Sequence, residues 1–155
     1  MKNLFRTIFS SILAFSSSAN SAELSLPKDI QILYEYAESY VKNGVTQGYE
    51  IPIFAASLDT SDKITVIVAD EYPNLESSLA GILEQLIPLA KSKQVKATII
   101  VSQMQADGER AIVFDGESPS NPRILVILPI KGNGANATYG KKEIVKLQDS
   151  KVYVP

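Results

Sequence analysis

The chain has 155 residues, of which 45% are apolar and 21% charged, a size and composition suited to one globular domain. Its net charge of −2 gives no basic surface for nucleic acid. It contains no Cys and no His, which excludes disulfides, thiol nucleophiles, His-ligated metals and a Ser-His-Asp triad. Any catalysis would depend on Asp, Glu, Lys, Tyr or Ser, and no cofactor or metal site is predicted.

The first 22 residues have the layout of a secretory signal peptide. Lys2 and Arg6 precede an apolar stretch, and small polar residues follow it. Cleavage is predicted after Ala22, with Ala19 as the competing position. The apolar stretch is shorter than the roughly 20 residues that span a bilayer, so no stable membrane anchor is expected. The sequence therefore predicts a periplasmic or secreted protein in which residues 23–155 form a single domain.

Residues 27–43 are predicted to form the first helix, because apolar residues recur there at a spacing of about 3.6. Pro27 suits its first turn, and Gly44 suits the position after its last turn. The predicted buried stripe comprises Ile30, Leu33, Ala37, Tyr40 and Val41.

Two tyrosines, Tyr34 and Tyr36, flank this stripe and cannot share one helical face. One of them is expected to be partly exposed, and exposed Tyr is common at protein interfaces. Tyr34, Tyr36 and, further along the chain, Tyr72 are therefore candidate binding residues. The alternative is amphipathic packing with the hydroxyl group in water.

A hairpin and a second helix are predicted next. Residues 51–59 and 63–70 are expected to be strands joined by a polar turn. Both faces of the second strand are apolar, which favours a central strand covered on both sides. Residues 71–94 are expected to be helical, with Asn74 as the N-cap and Pro88 disturbing the last turn.

The remainder is predicted to be mainly β. Strands are expected at 95–104, 110–117 and 123–130, followed by one or two short terminal strands, and Pro129 should lie at an edge or a strand end. Grouped antiparallel strands with two helices predict an α+β domain. We expect a mainly antiparallel sheet of about five to seven strands with both helices packed on one face.

The order of these landmarks resembles an uncharacterised family of small bacterial α+β proteins. The matching segments are Leu33-Tyr34-Glu35-Tyr36-Ala37, Ile51-Pro52-Ile53-Phe54-Ala55, Val95-Lys96-Ala97, Ala111-Ile112, Glu117 and Leu128-Pro129-Ile130. They correspond to an LYxxA helix, an xPFA strand, a K-x-A strand, a DAI-type strand ending in Glu and a strand ending in LP. The resemblance covers nearly the whole chain after the signal peptide and implies a fold but no activity.

The residues Asp115 and Glu117 are the candidate catalytic pair. In an extended strand, residues two apart point to the same side, so their carboxylates would lie close together. Such a pair could bind a divalent cation, or one carboxyl could have a raised pKa suited to acid–base chemistry. The alternative is a solvated strand end before the Ser-Pro-Ser-Asn-Pro turn.

These patterns support two functions of different classes. The absence of His, of Cys and of a strong catalytic constellation favours a small binding protein over an enzyme. Its partner would be another protein or a small ligand, in an inhibitor- or immunity-like role, and exposed sheet edges would allow homodimerisation. The alternative is a carboxylate- or metal-dependent hydrolase that uses Asp115 and Glu117.

Overall fold

The computed structural model describes residues 25–69, 74–106 and 108–153. This part of the chain contains two α-helices, a short 3-10 helix and seven strands. The helices are α1 (Lys28–Thr46) and α2 (Leu75–Lys91), and the 3-10 helix is Gly134–Asn136. The strands are β1 (Phe54–Asp59), β2 (Ile64–Val68), β3 (Val95–Ala106), β4 (Glu109–Ser118), β5 (Asn121–Lys131), β6 (Thr138–Tyr139) and β7 (Glu143–Leu147). The predicted signal peptide lies outside the described residues.

All seven strands belong to one antiparallel sheet, in the order β2-β1-β3-β4-β5. Both β6 and β7 pair with the remaining side of β5. The predicted α+β class and antiparallel sheet are therefore confirmed. No helix in the described ranges is long and apolar enough to cross a membrane.

The two helices pack on opposite faces of this sheet, so the expectation that both lie on one face is wrong. In β1, Phe54 and Ala56 belong to the core beneath α1, whereas Ala55 between them belongs to the core beneath α2. Successive side chains of a strand point to opposite faces, so each helix covers its own side. Helical periodicity shows that a helix has an apolar stripe but does not show which face of the sheet that stripe covers.

Helix α1 continues one turn beyond its predicted end. Val45 is buried at the next position of the apolar stripe, and the left-handed backbone follows at Gly48 rather than at Gly44. Gly44 lies inside the helix, at a position where a Cβ would come within 2.7 Å of the end of the Ile51 side chain. Close packing, and not a helix stop, accounts for this glycine.

Helix α2 begins as predicted, with the Asn74 side chain accepting a hydrogen bond of 2.9 Å from the Ser77 amide. Pro88 lies inside the helix, near its last turn. The predicted second terminal strand is absent from the described residues. Residues 149–153 instead form an irregular segment, here called the C-terminal strap, and Val152 within it is buried in the core beneath α2.

The β6/β7 edge of the sheet is interrupted at Pro129. The Pro129 carbonyl accepts a hydrogen bond from Gly140 at 2.9 Å, so the backbone of residue 129 faces this edge. Proline has no N–H to return a second bond, and the edge strand breaks there into β6 and β7. Pro129 thus lies near a strand end, as predicted, and prevents a continuous outer ladder.

Candidate functional site

Asp115 and Glu117 lie side by side on the face of the sheet that α2 covers. They stand opposite Ile100 and Thr98 of β3 in the antiparallel register. Asp115 is only 8% exposed and Glu117 only 3%, so they do not form the solvated strand end that the turn chemistry suggested. A buried carboxylate needs compensating partners, and these partners define what the pair does.

Asp115 is paired with Arg123 of the neighbouring strand β5. Arg123 donates from Nε to Oδ1 and from Nη2 to Oδ2, both at 2.8 Å, which is the bidentate geometry that favours Arg–carboxylate pairs. Lys151 of the C-terminal strap donates to the same Oδ2 at 3.2 Å. Arg123 also donates from Nη1 to Asp149 at 2.9 Å, which ties the start of the strap to the sheet.

Glu117 holds the strap through its backbone. It accepts hydrogen bonds from the Lys151 amide at 3.0 Å to both oxygens and from the Val152 amide at 3.1 Å. The Ser150 hydroxyl donates to Glu117 Oε2 at 2.5 Å. The strap has no regular secondary structure, so this single carboxylate supplies partners for amides that no strand pairs.

We call Asp115, Glu117, Arg123, Asp149, Ser150 and Lys151 the carboxylate cluster. Burial opposes the charge of Arg123, but the hydrogen bond and charge of Asp115 outweigh burial and raise the pKa of the guanidinium. The cluster is internally paired, and each carboxylate oxygen of Asp115 and Glu117 accepts at least one hydrogen bond. This arrangement favours a structural role for the pair.

Within the described ranges, these carboxylates belong to no metal-binding group and do not line the cavity that the structure describes. Over the described ranges, no group of three or more Asp and Glu side chains is placed to hold a metal ion. A cavity of about 360 Å³ lies at the opposite end of the β4–β5 hairpin, lined by residues 108–110 and 129–132. Asp115 and Glu117 do not line it, so it brings them no substrate.

Sequence reasoning missed Arg123, although the hairpin register contained a signal for it. Glu117 is the last charged residue before the turn, and Arg123 is the first charged residue after it. In a tight antiparallel hairpin such residues face each other across the strands. The sequence therefore predicts that Glu117 and Arg123 lie close together, whereas the bidentate bond of Arg123 to Asp115 is apparent only in the three-dimensional structure.

The candidate tyrosines separate into a buried and an exposed residue, as their positions on α1 require. Tyr34 is buried edge-on against Phe114, and burial, reinforced by the nearby negative charge of Glu38, strongly raises its pKa. Tyr36 is exposed. Tyr72 lies outside the described residues. The prediction that one of Tyr34 and Tyr36 is exposed holds, and Tyr36 is that residue.

Tyr40 differs from its prediction as a buried residue of the α1 stripe. It is 50% exposed, and its ring packs edge-on against Phe54 of β1 at a centroid distance of 5.1 Å. Tyr36 and Tyr40 are four residues apart and lie on the same side of α1. Both therefore point toward the β1–β2 side of the sheet, away from the β6/β7 edge.

Strand β2 is an edge strand, so the expectation of a central strand covered on both sides is wrong. Among the described residues it pairs with β1 alone. Val66 and Val68, opposite Ala56 and Phe54, lie on the α1 face and are 40% and 52% exposed. Strand β2 is therefore apolar on both faces in the sequence, but in the structure its side chains are only partly covered.

The backbone of β2 presents an alternating set of free groups along this edge. The Lys63 carbonyl and the Ala69 amide bond to the Asp59 amide and the Ile53 carbonyl, both at 3.0 Å. The N–H and C=O groups of successive residues in an antiparallel strand point to opposite edges of that strand. The odd-numbered residues of β2 therefore bond to β1. The N–H and C=O groups of Ile64, Val66 and Val68 therefore point outward, where no strand of the described chain meets them.

These backbone groups and the exposed side chains of Tyr36, Tyr40, Val66 and Val68 form what we call the β2 surface. No charged residue, Pro or Gly occurs within β2. Edge strands of natural proteins are usually protected by such residues. The β2 surface lacks this protection and combines exposed apolar side chains with outward-facing backbone donors and acceptors that no strand of the described residues pairs.

Comparison with known proteins adds no relative to this picture: no family model, no curated protein and no solved structure matches the chain. The resemblance to the small α+β family described above stays a prediction. The function must be argued from the geometry of this chain alone.

Proposed function

We propose that this protein is an exported interaction module that binds its partner by strand addition at the β2 surface. The observation that carries the proposal is the outward-facing backbone of Ile64, Val66 and Val68 in an uncharged, exposed edge strand. An extended segment of a partner would continue the sheet, and its main-chain hydrogen bonds would supply affinity. An inhibitor- or immunity-like role is compatible with this mode of binding.

The side chains around β2 support specificity as well as attachment. Val66 and Val68 offer two neighbouring apolar sites on the α1 face. Tyr40 packs against Phe54, the β1 residue opposite Val68, and Tyr36 lies one turn away on the same side of α1. In strand addition, pockets for alternate side chains discriminate between partners. Tyrosine is enriched at interfaces because its ring contributes apolar area while its hydroxyl group remains hydrated.

The opposite edge of the sheet provides a contrast within the same molecule. There the outer strand is split at Pro129, and Lys141, Lys142 and Lys146 are exposed along it. Breaks and lysines of this kind are the usual protection against unwanted pairing. Protection of one edge and its absence at the other argue that β2 is left open for a partner.

A hydrolase that uses Asp115 and Glu117 receives no support from this geometry. Their oxygens are already bonded to Arg123 and to the strap, and the described cavity lies elsewhere. A general acid or base must reach the proton that it transfers. We therefore propose the interaction module and no enzymatic activity.

Site-specific photo-crosslinking in the native host tests this proposal. A photoreactive amino acid at position 66 places the probe in the β2 surface, and the same probe at position 146 provides a matched control on the exposed face of β7. We expect an adduct of defined mass from position 66 and none from position 146. Equal adducts from both positions, or an adduct from position 146 alone, would contradict the proposal.

A further inference from the structure

We propose that the partner of the β2 surface is a second copy of this chain, joined by antiparallel β2–β2 pairing about a two-fold axis through Val66. This inference rests on the proposed strand addition and names its occupant. Two copies paired in this way would form one continuous sheet across the axis, with the same surface used by both. Three properties of β2 support self-pairing.

The first property is the match of backbone donors and acceptors. With the axis at Val66, Val66 faces Val66 of the second copy, and Ile64 faces Val68. Each of these three residues has one outward N–H and one outward C=O, and each group meets the opposite kind in the second copy. The edge is therefore electrostatically complementary to itself along its whole length.

This match selects one register. A shift of the axis to residue 65 or 67 keeps side chains on their proper faces but leaves an outward-facing residue at one end of β2 without a partner within the strand. The Val66 register leaves none.

The second property is the compatibility of the side chains. On the α1 face, Val66 meets its own copy and Ile64 meets Val68, while Thr65 meets Ile67 on the other face. All five residues of β2 are β-branched, and such residues favour cross-strand packing. Because none is charged, no like charges oppose each other at the seam.

The third property is the shape around the seam. A two-fold axis perpendicular to the sheet keeps both α1 helices on the same side of the continuous sheet. Val66 and Val68 of both copies would then form the floor of an apolar trough, with Tyr36 and Tyr40 of each copy along its two sides. Exposed apolar area of one copy becomes a contact area of the other.

The size of the contact determines its strength. A five-residue strand is about 17 Å long, so the interface lies at the small end of specific interfaces. We therefore expect a dissociation constant on the order of micromolar, and a dimer that forms with increasing concentration. The experiment must cover that range.

Sedimentation equilibrium of the protein in its exported form tests the inference. Protein concentrations from about 1 to about 500 µM bracket the expected dissociation constant. We expect a monomer–dimer equilibrium. Val66→Pro removes an outward N–H that β1 does not use, and proline is tolerated in edge strands at such positions, so the variant should fold and stay monomeric. Val66→Thr, the matched control, keeps the N–H and the branched Cβ and should dimerise like the wild type.

A second variant keeps the test decisive if Val66→Pro fails to fold. Val66→Lys keeps the N–H, occupies an exposed position and places two lysines against each other at the axis. It should raise the dissociation constant at least tenfold. A wild-type protein that stays monomeric up to about 500 µM would overturn the inference.

A folded Val66→Lys variant that dimerises like the wild type would overturn it as well. The crosslink at position 66 separates this failure from that of the proposed function. If position 66 yields an adduct with a different protein while the purified wild type is monomeric, the inference that the partner is a second copy is wrong. The proposed interaction module then stands. If position 66 yields no adduct and the wild type is monomeric, both are wrong.

Discussion

The carboxylate cluster and the β2 surface reverse the usual places of polar and apolar residues. Charged side chains of the cluster are buried and bonded to each other, whereas the valines of β2 are about half exposed. The cluster fastens the C-terminal strap to the sheet, and its bonding is complete. Among the described residues, no strand pairs with the outward backbone groups of the β2 surface, and its valine side chains are uncovered.

This difference indicates where each region acts. A buried ion pair that is internally satisfied serves the integrity of the fold, and its removal leaves uncompensated charge. In the proposed function the edge of β2 contacts another chain, and substitutions at its exposed side chains are expected to leave the fold intact. Substitutions in the carboxylate cluster should therefore reduce the stability of the fold without altering association. Substitutions in the β2 surface should weaken association without altering the stability of the fold.

The largest expected effect is that of Arg123→Ala. It leaves Asp115 buried without its bidentate partner and releases Asp149, so we expect a loss of about 3–5 kcal/mol in the free energy of unfolding. Lys146→Ala, on the exposed face of β7, should change this free energy by less than about 0.5 kcal/mol. Urea denaturation followed by circular dichroism measures both. A loss below about 1 kcal/mol for Arg123→Ala would contradict a structural role for the cluster.

Glu117→Ala should have the next largest effect. It removes the acceptor for the Lys151 and Val152 amides, at a cost of about 2 kcal/mol, and it frees the strap. Amide hydrogen exchange should become fast at residues 151 and 152 while β1 and β3 stay protected. Glu117→Gln retains one acceptor oxygen and should show intermediate protection. Unchanged exchange in the Ala variant would show that the strap is held by other contacts.

Tyr36→Ala should affect association and not folding. Because the side chain is exposed, we expect a change in the free energy of unfolding within about 0.5 kcal/mol. The dissociation constant of the dimer should rise about tenfold, as for an interfacial tyrosine. Tyr36→Phe keeps the ring and should restore association to within about threefold. A destabilised fold with unchanged association would reverse the roles of the two regions.

The smallest effect concerns the ion pairs between α1 and the loop before β7. Burial alone would raise the pKa of Glu38, but its ion pairs with Lys42 and Lys142 outweigh burial, so the pKa lies below its usual value of 4.5. Ionised Glu38 therefore stabilises the fold above the unfolded pKa, and this contribution is lost as pH falls through the folded pKa.

Glu38→Gln should consequently cost about 0.5 kcal/mol at pH 7, since the pairs are partly exposed. The difference between variant and wild type should shrink as the pH falls below 4.5, the usual Glu value. Urea denaturation at several pH values measures it. A difference that is constant from neutral to acidic pH would show that the charge of Glu38 does not matter.

Local patterns in the sequence predicted the elements well, because capping and periodicity are local properties. Asn74 caps α2 as its residue type suggests, and the Ile30, Leu33, Ala37 and Val41 stripe is buried as its spacing suggests. Which face each helix covers depends on long-range packing, and no local signal carries it. The same limit hid the exposed side of Tyr40.

The candidate site was predicted in its residues but not in its role. Asp115 and Glu117 do point to one side, as alternation along a strand requires. The sequence could not show that this side is covered by the strap, because residues 149–153 have no periodicity of their own. The prediction of a central β2 failed for a similar reason: two apolar faces favour burial, but they do not show whether strands pair with both edges.

The central claim, that the outward backbone of β2 is a binding edge, is tested most directly by residue-specific amide exchange in β2 at low and high protein concentration. The Thr65 and Ile67 amides, which bond to β1, should be protected at both concentrations. The Ile64, Val66 and Val68 amides should exchange fast in dilute solution and become protected as the concentration rises. Exchange at these three amides that does not depend on concentration would contradict pairing at this edge.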